Sequence, residues 1–245
     1  MSDTIYIFDI DGTLTPSRQL IDKTFAEFFL GWTVEGEKKV YFASGSDMKK
    51  IKEQLPEDIL CASAGVFSCM GNQLWRDGKL EYQTSFIPDK TFFRDLDLYL
   101  EQGAKYKIRT GAHVEARAGM LNFSVVGRNA TQEQREAYSR WDKLHHERED
   151  FVEYITSRYP SLDASIGGTI SVDVYPKGND KSQVIDYLSS LEPAATYVFV
   201  GDKTDLGGND YAIVEKLQDV EGSAWFKVGD WRDTQELINS NEVFA

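Results

Sequence analysis

The sequence predicts a doubly wound α/β core, built on a mostly parallel sheet, that is interrupted by an inserted α+β cap domain. Toward both ends of the chain, nearly continuous apolar and β-branched runs alternate with helical segments, which is typical of parallel strands buried on both faces. In the middle, apolar and polar residues alternate instead, as in an antiparallel sheet with one covered face. We therefore assign the core to residues 1–84 and 179–245 and the cap to residues 85–178.

The first part of the core reads as strand, helix, strand, helix. Thr4–Ile10 (TIYIFDI) and Lys39–Ala43 are runs of the kind found in buried strands. Apolar residues at helical spacing predict a helix over Leu20–Leu30, and a short helix is expected over Met48–Leu55.

The cap segment contains helices and alternating strands. A helix is expected over about Asp89–Gln102, followed by a half-exposed hairpin with strands Ala112–Arg117 and Leu121–Val126. Thr131–Gln134 fits a capping box that opens a long helix, with or without a break. Thr169–Tyr175 alternates again and is predicted to be a strand.

After the cap the α/β pattern returns. A helix is expected from Asp180 through Leu188, and the strand Tyr197–Val200 leads into Gly201-Asp202. A cap inserted into a single core domain explains this order of elements.

Composition excludes several classes of partner. The 245-residue chain has a net charge of −13, which argues against nucleic acid because binding its phosphates needs a basic face. No apolar run approaches the ~18 residues of a membrane span. The spacing of Cys61 and Cys69 does not suggest a metal site. We expect a soluble cytoplasmic protein with no nucleic-acid or membrane partner.

Polar residues follow the predicted core strands. Asp9 and Asp11 end the first strand, Ser44 follows the second, and Asp202 follows the last. The carboxyl ends of parallel strands meet in one crevice, so these side chains are expected to lie together. An aspartate can accept a phosphoryl group, and Mg²⁺ with carboxylate ligands suits such a reaction. Ser44 and Lys181 could bind the oxygens of the transferred group.

These motifs resemble those of the haloacid dehalogenase superfamily. Asp9-Ile10-Asp11-Gly12-Thr13 is similar to its first motif, Ser44 to the second, and Lys181 to the third. Gly201-Asp202 with Gly207-Gly208-Asn209-Asp210 is similar to the fourth. The order and spacing match the subclass whose cap lies between motifs two and three, and imply a haloacid dehalogenase-like fold.

The whole chain also resembles the eukaryotic-type phosphomannomutases. The segments that carry this resemblance are FDIDGTLTPSRQ (Phe8–Gln19), RAGMLNFSVVGRNATQEQR (Arg117–Arg135), ISVDVYPKGNDK (Ile170–Lys181) and GDKTDLGGND (Gly201–Asp210). The resemblance implies that Asp9 is the nucleophile, that Asp11 is the acid/base, and that Ser44 and Lys181 assist catalysis. It implies magnesium ligands at Asp9, at Asp11 through its backbone carbonyl, and at Asp202. The implied substrate-binding residues are Arg18, Arg117, Arg128, Arg135, Ser171 and Asp173.

The resemblance implies a specific reaction. Mannose 6-phosphate and mannose 1-phosphate would be interconverted through an aspartyl phosphate and a hexose bisphosphate, with Mg²⁺ as cofactor and hexose 1,6-bisphosphate as activator. The product would feed GDP-mannose synthesis, and the enzyme would form homodimers through the cap. The guanidinium fork of arginine suits phosphate, so arginines of the cap would bind one end of the substrate and core aspartates the other.

Two departures keep an alternative open. The family tends to have two glycines before the Ser-Asp of motif two, where this chain reads Ala43-Ser44-Gly45-Ser46-Asp47. A hydroxyl at Ser44 is common in phosphatases of the superfamily, so a sugar-phosphate phosphatase is the alternative. Val214–Gly222 does not match the segment that holds a second, structural cation in family members. A catalytically silent binding protein is disfavoured because Asp9, Asp11, Lys181 and Asp202 are all present.

Overall fold

The computed structural model describes residues 4–240 and 242–244, which form two compact units. The core unit consists of the described residues up to Gln83 and from Asn179 onward, and the cap unit is Thr84–Gly178. The predicted boundaries were 84/85 and 178/179. Within the described residues, no helix has both the length and the apolar character needed to cross a bilayer.

Strands and helices alternate over much of the described chain. The strands are β1 (Thr4–Phe8), β2 (Lys39–Ala43), β3 (Gly65–Ser68), β4 (Gln73–Arg76), β5 (Lys79–Gln83), β6 (Val114–Arg117), β7 (Met120–Phe123), β8 (Leu162–Gly167), β9 (Ser171–Pro176), β10 (Thr196–Gly201) and β11 (Ala224–Lys227). The helices are α1 (Lys23–Glu35), α2 (Met48–Gln54), α3 (Glu57–Ala62), α4 (Lys90–Leu98), α5 (Gln132–His145), α6 (Glu147–Arg158), α7 (Gln183–Leu191), α8 (Tyr211–Leu217) and α9 (Trp231–Ser240).

The core sheet has seven strands in the order β11-β10-β1-β2-β3-β4-β5. The strands from β11 to β3 are parallel, whereas β4 and β5 add an antiparallel edge. Phe8 of β1 packs in an apolar cluster with Phe29 of α1, and its neighbour Ile7 packs in a second cluster with Leu188 of α7. Both faces of the sheet are therefore covered by helices, which confirms the predicted doubly wound α/β core.

Several boundaries in the core differ from the prediction. The first helix begins at Lys23 rather than Leu20, because the Asp22 carboxylate accepts the N–H groups of Thr24 and Phe25 and so caps it. The first strand ends at Phe8, which leaves the residues after it in a loop. The strands β3 to β5 were not predicted.

The cap contains a four-stranded antiparallel sheet in the order β6-β7-β9-β8. The predicted half-exposed hairpin is wrong for β7, since all four of its residues are buried. Thr131 and Gln134 form the predicted capping box. The long helix is broken at His146, whose left-handed backbone (φ 55°) separates α5 from α6.

We expect Phe151→Ala to destabilise the cap by about 3–5 kcal/mol, because a buried aromatic ring leaves a cavity when it is removed. Phe151 is fully buried, and its ring stacks on Phe123 with centroids 4.1 Å apart and meets Tyr99 edge-on at 4.9 Å. Urea unfolding followed by circular dichroism measures the change in free energy. The matched control is Glu153→Ala on the exposed side of the same helix, and an equal loss in both variants would contradict the expectation.

Candidate active site

The predicted core residues lie at the carboxyl ends of three neighbouring strands. Asp9 follows β1, Ser44 follows β2, and Asp202 follows β10, and these strands are adjacent in the order β10-β1-β2. The Asp9 N–H donates to the Val200 carbonyl at 2.9 Å, which fixes the backbone at the point where the Asp9 side chain leaves the sheet. The parallel sheet thus brings these residues to one edge.

Lys181 lies between two carboxylates. Its ammonium donates to Asp9 Oδ1 at 2.7 Å and to Asp210 Oδ1, and all three side chains are almost completely buried. Burial lowers the pKa of Lys181, but Asp210 and Asp9 more than offset that effect and the net pKa is raised. Lys181 therefore remains charged and neutralises much of the buried negative charge.

The carboxylate of Asp9 is held at both oxygens. Its Oδ1 accepts from Lys181, and its Oδ2 accepts a long hydrogen bond from Thr13 Oγ1 at 3.4 Å. Burial raises the pKa of Asp9 to about 8 although Lys181 acts in the opposite direction, and Asp210 raises it further. A desolvated, oriented carboxylate of this kind is suited to nucleophilic attack once a cation lowers its pKa.

The geometry also allows a metal ion beside Asp9. Asp9, Asp202 and Asp210 each offer a carboxylate oxygen, and these oxygens lie within 4.8 Å of one another. Asp202 Oδ1 is buried and has no hydrogen-bond partner in the described part of the chain, so it is suited to coordinate a cation. Burial raises the pKa of Asp202 although Lys203, whose ammonium lies 3.2 Å from Oδ2, lowers it.

The loop after β1 approaches Asp202 so closely that it requires glycine. A Cβ atom on Gly12 would lie 2.5 Å from Asp202 Oδ2, and the φ of Gly12 is +87°. Only glycine adopts this conformation without strain and leaves room for the carboxylate. The glycine of the first motif is thus explained by the packing of the acidic group.

Asp11 lies near this group but is held by different donors. Its Oδ1 accepts from the backbone N–H of Arg18 at 2.7 Å and from Gln54 Nε2 at 3.0 Å, and its Oδ2 accepts from Ser46 Oγ at 3.3 Å. Gln54 is buried and donates also to Thr15 Oγ1 at 3.0 Å. The Arg18 residue is exposed, and it is its backbone that contacts Asp11.

Ser44 is buried, and its hydroxyl accepts the backbone N–H of Ser46 at 3.0 Å. This bond shapes the turn that follows β2 and leads to Asp47, the N-cap of α2. Ser44 therefore organises the loop from which Ser46 reaches Asp11.

The cap holds a second cluster of charged residues. Arg128 Nη1 donates to Asn122 Oδ1 at 2.5 Å and to Ser171 Oγ at 3.0 Å. Asn122 in turn donates to Asp173 Oδ1 at 2.6 Å, and Arg117 Nη1 lies 3.7 Å from the same oxygen. Four of the predicted substrate-binding residues thus belong to one network.

Asp173 is the buried anion of this network. Burial raises its pKa, and Arg117 together with the hydrogen bond from Asn122 works against that rise. Gly167 on the adjacent strand leaves the room that Asp173 needs, since a Cβ there would lie 2.6 Å from Asp173 Oδ2. The two guanidiniums in the cluster therefore partly compensate a carboxylate that the fold has removed from water.

Arg135 supports the cluster from the first turn of α5. Its Nε donates to the Ala130 carbonyl at 3.1 Å and its Nη2 donates to the Arg128 carbonyl at 2.9 Å. In this structure Arg135 fixes the loop that carries Arg128.

Sequence reasoning missed the polar partners of the predicted residues. Gln54 holds Asp11, Asn122 joins Asp173 to Arg128, and Glu115 pairs with both Arg117 and Arg128. In the sequence, the signal for the partners in the cap was the alternation of residues between the two faces of β6 and β7. Glu115 and Arg117 are two positions apart, and Asn122 lies between apolar neighbours that face the cap core.

The chain is similar in sequence to known proteins. A family model for eukaryotic phosphomannomutase matches residues 27–242. A phosphomannomutase of Galdieria sulphuraria is 34% identical over 97% of this chain and 96% of its own length. Phosphomannomutase 1 of Dictyostelium discoideum is 36% identical over 97% of this chain and 96% of its own length.

The fold is also found among solved structures. A phosphatase of the haloalkanoate (HAD) enzyme superfamily from Bacteroides thetaiotaomicron is similar with a TM-score of 0.60 and 16% identity, over 97% of this chain and 94% of that one. This likeness supports the predicted haloacid dehalogenase-like fold. The family model and the two relatives go further, and from them it follows that the chain belongs to the eukaryotic phosphomannomutase family.

Proposed function

We propose that this chain interconverts mannose 6-phosphate and mannose 1-phosphate through an aspartyl phosphate on Asp9. The observation that carries the proposal is the buried Asp9 carboxylate, which is oriented by Lys181 and lies beside a group of carboxylates able to hold a cation. Membership of the phosphomannomutase family supports the choice of substrate.

Phosphoryl transfer begins with the bisphosphate activator, a hexose 1,6-bisphosphate. Asp9 Oδ attacks the phosphorus, the bond from phosphorus to the sugar oxygen breaks, and Asp11 gives that oxygen a proton. Asp11 then takes the proton of the accepting hydroxyl on a hexose monophosphate, and this oxygen attacks the aspartyl phosphate. The resulting hexose bisphosphate reorients in the site. Asp9 then attacks the phosphorus of the second phosphate group of this bisphosphate, the bond from phosphorus to the sugar oxygen breaks, and the hexose monophosphate product leaves.

The remaining core residues hold the transferred group. Lys181 neutralises charge on its oxygens, and Ser44 positions the loop that lines it. Asp9, Asp202 and the backbone carbonyl of Asp11 would hold Mg²⁺, which supplies a hard positive charge beside the transferring phosphoryl group. Asp210 Oδ1 accepts from Lys181 and its Oδ2 accepts from the N–H of Lys203, which suits Asp210 to orient Lys181.

The cap cluster is proposed to bind the sugar and the phosphate that is not transferred. Arg117 and Arg128 are largely buried guanidiniums whose forked geometry matches phosphate. Ser171 and Asp173 offer oxygens to sugar hydroxyls, and Arg135 would complete the phosphate site of the cap. Arg18, in the core unit, is proposed as a further substrate-binding residue. We further propose a cytoplasmic homodimer that associates through the cap and supplies mannose 1-phosphate for GDP-mannose synthesis.

The proposed reaction is tested by measuring isomerisation and phosphate release side by side. With Mg²⁺, mannose 1-phosphate and catalytic hexose 1,6-bisphosphate, we expect mannose 6-phosphate to accumulate with little free phosphate. Asp9→Asn should lower kcat roughly 10³-fold or more, because it removes the nucleophile, whereas Asp77→Asn at an exposed turn should not. Dominant phosphate release, or turnover retained by Asp9→Asn, would contradict the proposal.

The metal site is tested by isothermal titration with Mg²⁺. Asp202→Asn should weaken Mg²⁺ binding at least about tenfold, because it replaces a buried anionic ligand with a neutral amide. The matched control is Asp205→Asn, three residues along the same loop, where the carboxylate is exposed and pairs with Lys227. Equal affinity in the Asp202 and Asp205 variants would exclude Asp202 as a ligand.

A further inference from the structure

We propose that Glu115 is an internal anion that occupies the phosphate position on Arg117 and Arg128 until a phosphate replaces it. The inference rests on the proposed function, because it assumes that these arginines bind the phosphate of the substrate. It assigns a role to a carboxylate that the catalytic scheme does not use. The residue would set how strongly the cap binds a phosphate dianion.

One oxygen of Glu115 reaches both guanidiniums. Glu115 Oε2 accepts from Arg117 Nη2 at 3.1 Å and also pairs with Arg128 Nη2. Glu115 and Arg117 are two residues apart on β6, so they share a face of the strand, while Arg128 comes from the loop before α5. A single anion thus bridges two cations from separate segments, as a phosphate oxygen would.

The other terminal nitrogen of each guanidinium faces buried protein groups. Arg128 Nη1 donates to Asn122 and Ser171, and Arg117 Nη1 is directed toward Asp173. Arg128, anchored by these two hydrogen bonds, keeps its orientation when the anion on its Nη2 is exchanged. The bond to Glu115 can therefore change without rearranging the network beneath it.

Exposure identifies Glu115 as the partner that can move. Its side chain is 28% exposed, whereas those of Arg117, Arg128 and Asp173 are 6%, 12% and 4% exposed. When Glu115 rotates into water, its carboxylate is solvated and no unpaired anion stays buried. Rotation of Asp173 would instead disrupt the core of the cap. The backbone of Glu115 pairs with Asn122 in the β6–β7 ladder, so the movement is confined to the side chain.

Charge decides the outcome of the exchange. Two arginines face two carboxylates, Glu115 and Asp173, so the formal charges of these four side chains cancel. A phosphate that joined without displacing Glu115 would be added to a balanced site beside a like charge. A phosphate monoester dianion carries more charge and more acceptor oxygens than one carboxylate, and so it can displace Glu115 where a monoanion such as acetate competes poorly.

The test measures binding of inorganic phosphate to the full-length protein in EDTA by isothermal titration. We expect Glu115→Gln to lower the Kd for phosphate by about 5- to 20-fold, because the competing charge is gone. Acetate should also bind more tightly, by a similar factor, because the same internal competitor is removed for both anions. The matched control, Glu153→Gln, removes one negative charge from an exposed position of the cap and should leave both Kd values close to those of the wild type.

The sign of the change separates this role from a structural one. Weaker or unchanged phosphate binding in Glu115→Gln overturns the proposal, since a carboxylate that merely braces the arginines predicts that result. Glu115→Ala is measured in parallel, and the sign is read from whichever variant keeps the wild-type circular dichroism. Loss of the fold in both variants also overturns it, because a displaceable partner is not needed for folding.

Arg128→Met separates failure of this inference from failure of the proposed function. If phosphate binding is lost in Arg128→Met but does not tighten in Glu115→Gln, the arginine site stands and Glu115 has no competing role. If phosphate binding is unchanged in Arg128→Met, the proposed phosphate site in the cap is wrong, and the inference falls with it.

Discussion

The core depends on the ion pairs that the buried ammonium of Lys181 makes with two carboxylates. It joins Asp9, at the end of the first strand and 172 residues away in sequence, to Asp210, which precedes α8. Removing one partner from a buried ion pair of this kind typically costs about 3–5 kcal/mol, because a charge is left without compensation in a low dielectric. The position of the Asp9 carboxylate and the closure of the core around it are therefore set by the same contact.

This long-range contact explains how the core accommodates a 95-residue insertion between Gln83 and Asn179. The second half of the core is tied to the first by strand pairing of β10 with β1 and by Lys181, both of which are independent of the inserted residues. The cap has its own apolar cluster and its own sheet. Each unit can therefore be stable through its own packing, and loop closure across the insertion adds only a slowly growing entropic cost.

The sequence was sufficient to predict the strands β1, β2 and β10 and the residues that follow them. Long apolar runs identify strands buried on both faces, and parallel packing then places their carboxyl ends together. The edge strand β5 (KLEYQ) lacks such a run and was missed. The polar partners Asn122 and Glu115 were missed for another reason. Their roles depend on register, with Glu115 opposite Asn122 and Asn122 opposite Asp173, and no spacing rule within one strand encodes that alignment.

Both units pair buried cations with carboxylates. They differ in whether one of these carboxylates can turn into solvent. In the core, the second partner of Lys181 is Asp210, whose side chain is fully buried, so that this carboxylate cannot turn into solvent. In the proposed mechanism, the extra negative charge of a phosphoryl group is balanced by an added cation, for which Asp202 Oδ1 is available. In the cap, the corresponding partner is Glu115, which reaches solvent. The cap can therefore expose positive charge by moving its own carboxylate, without any added ion.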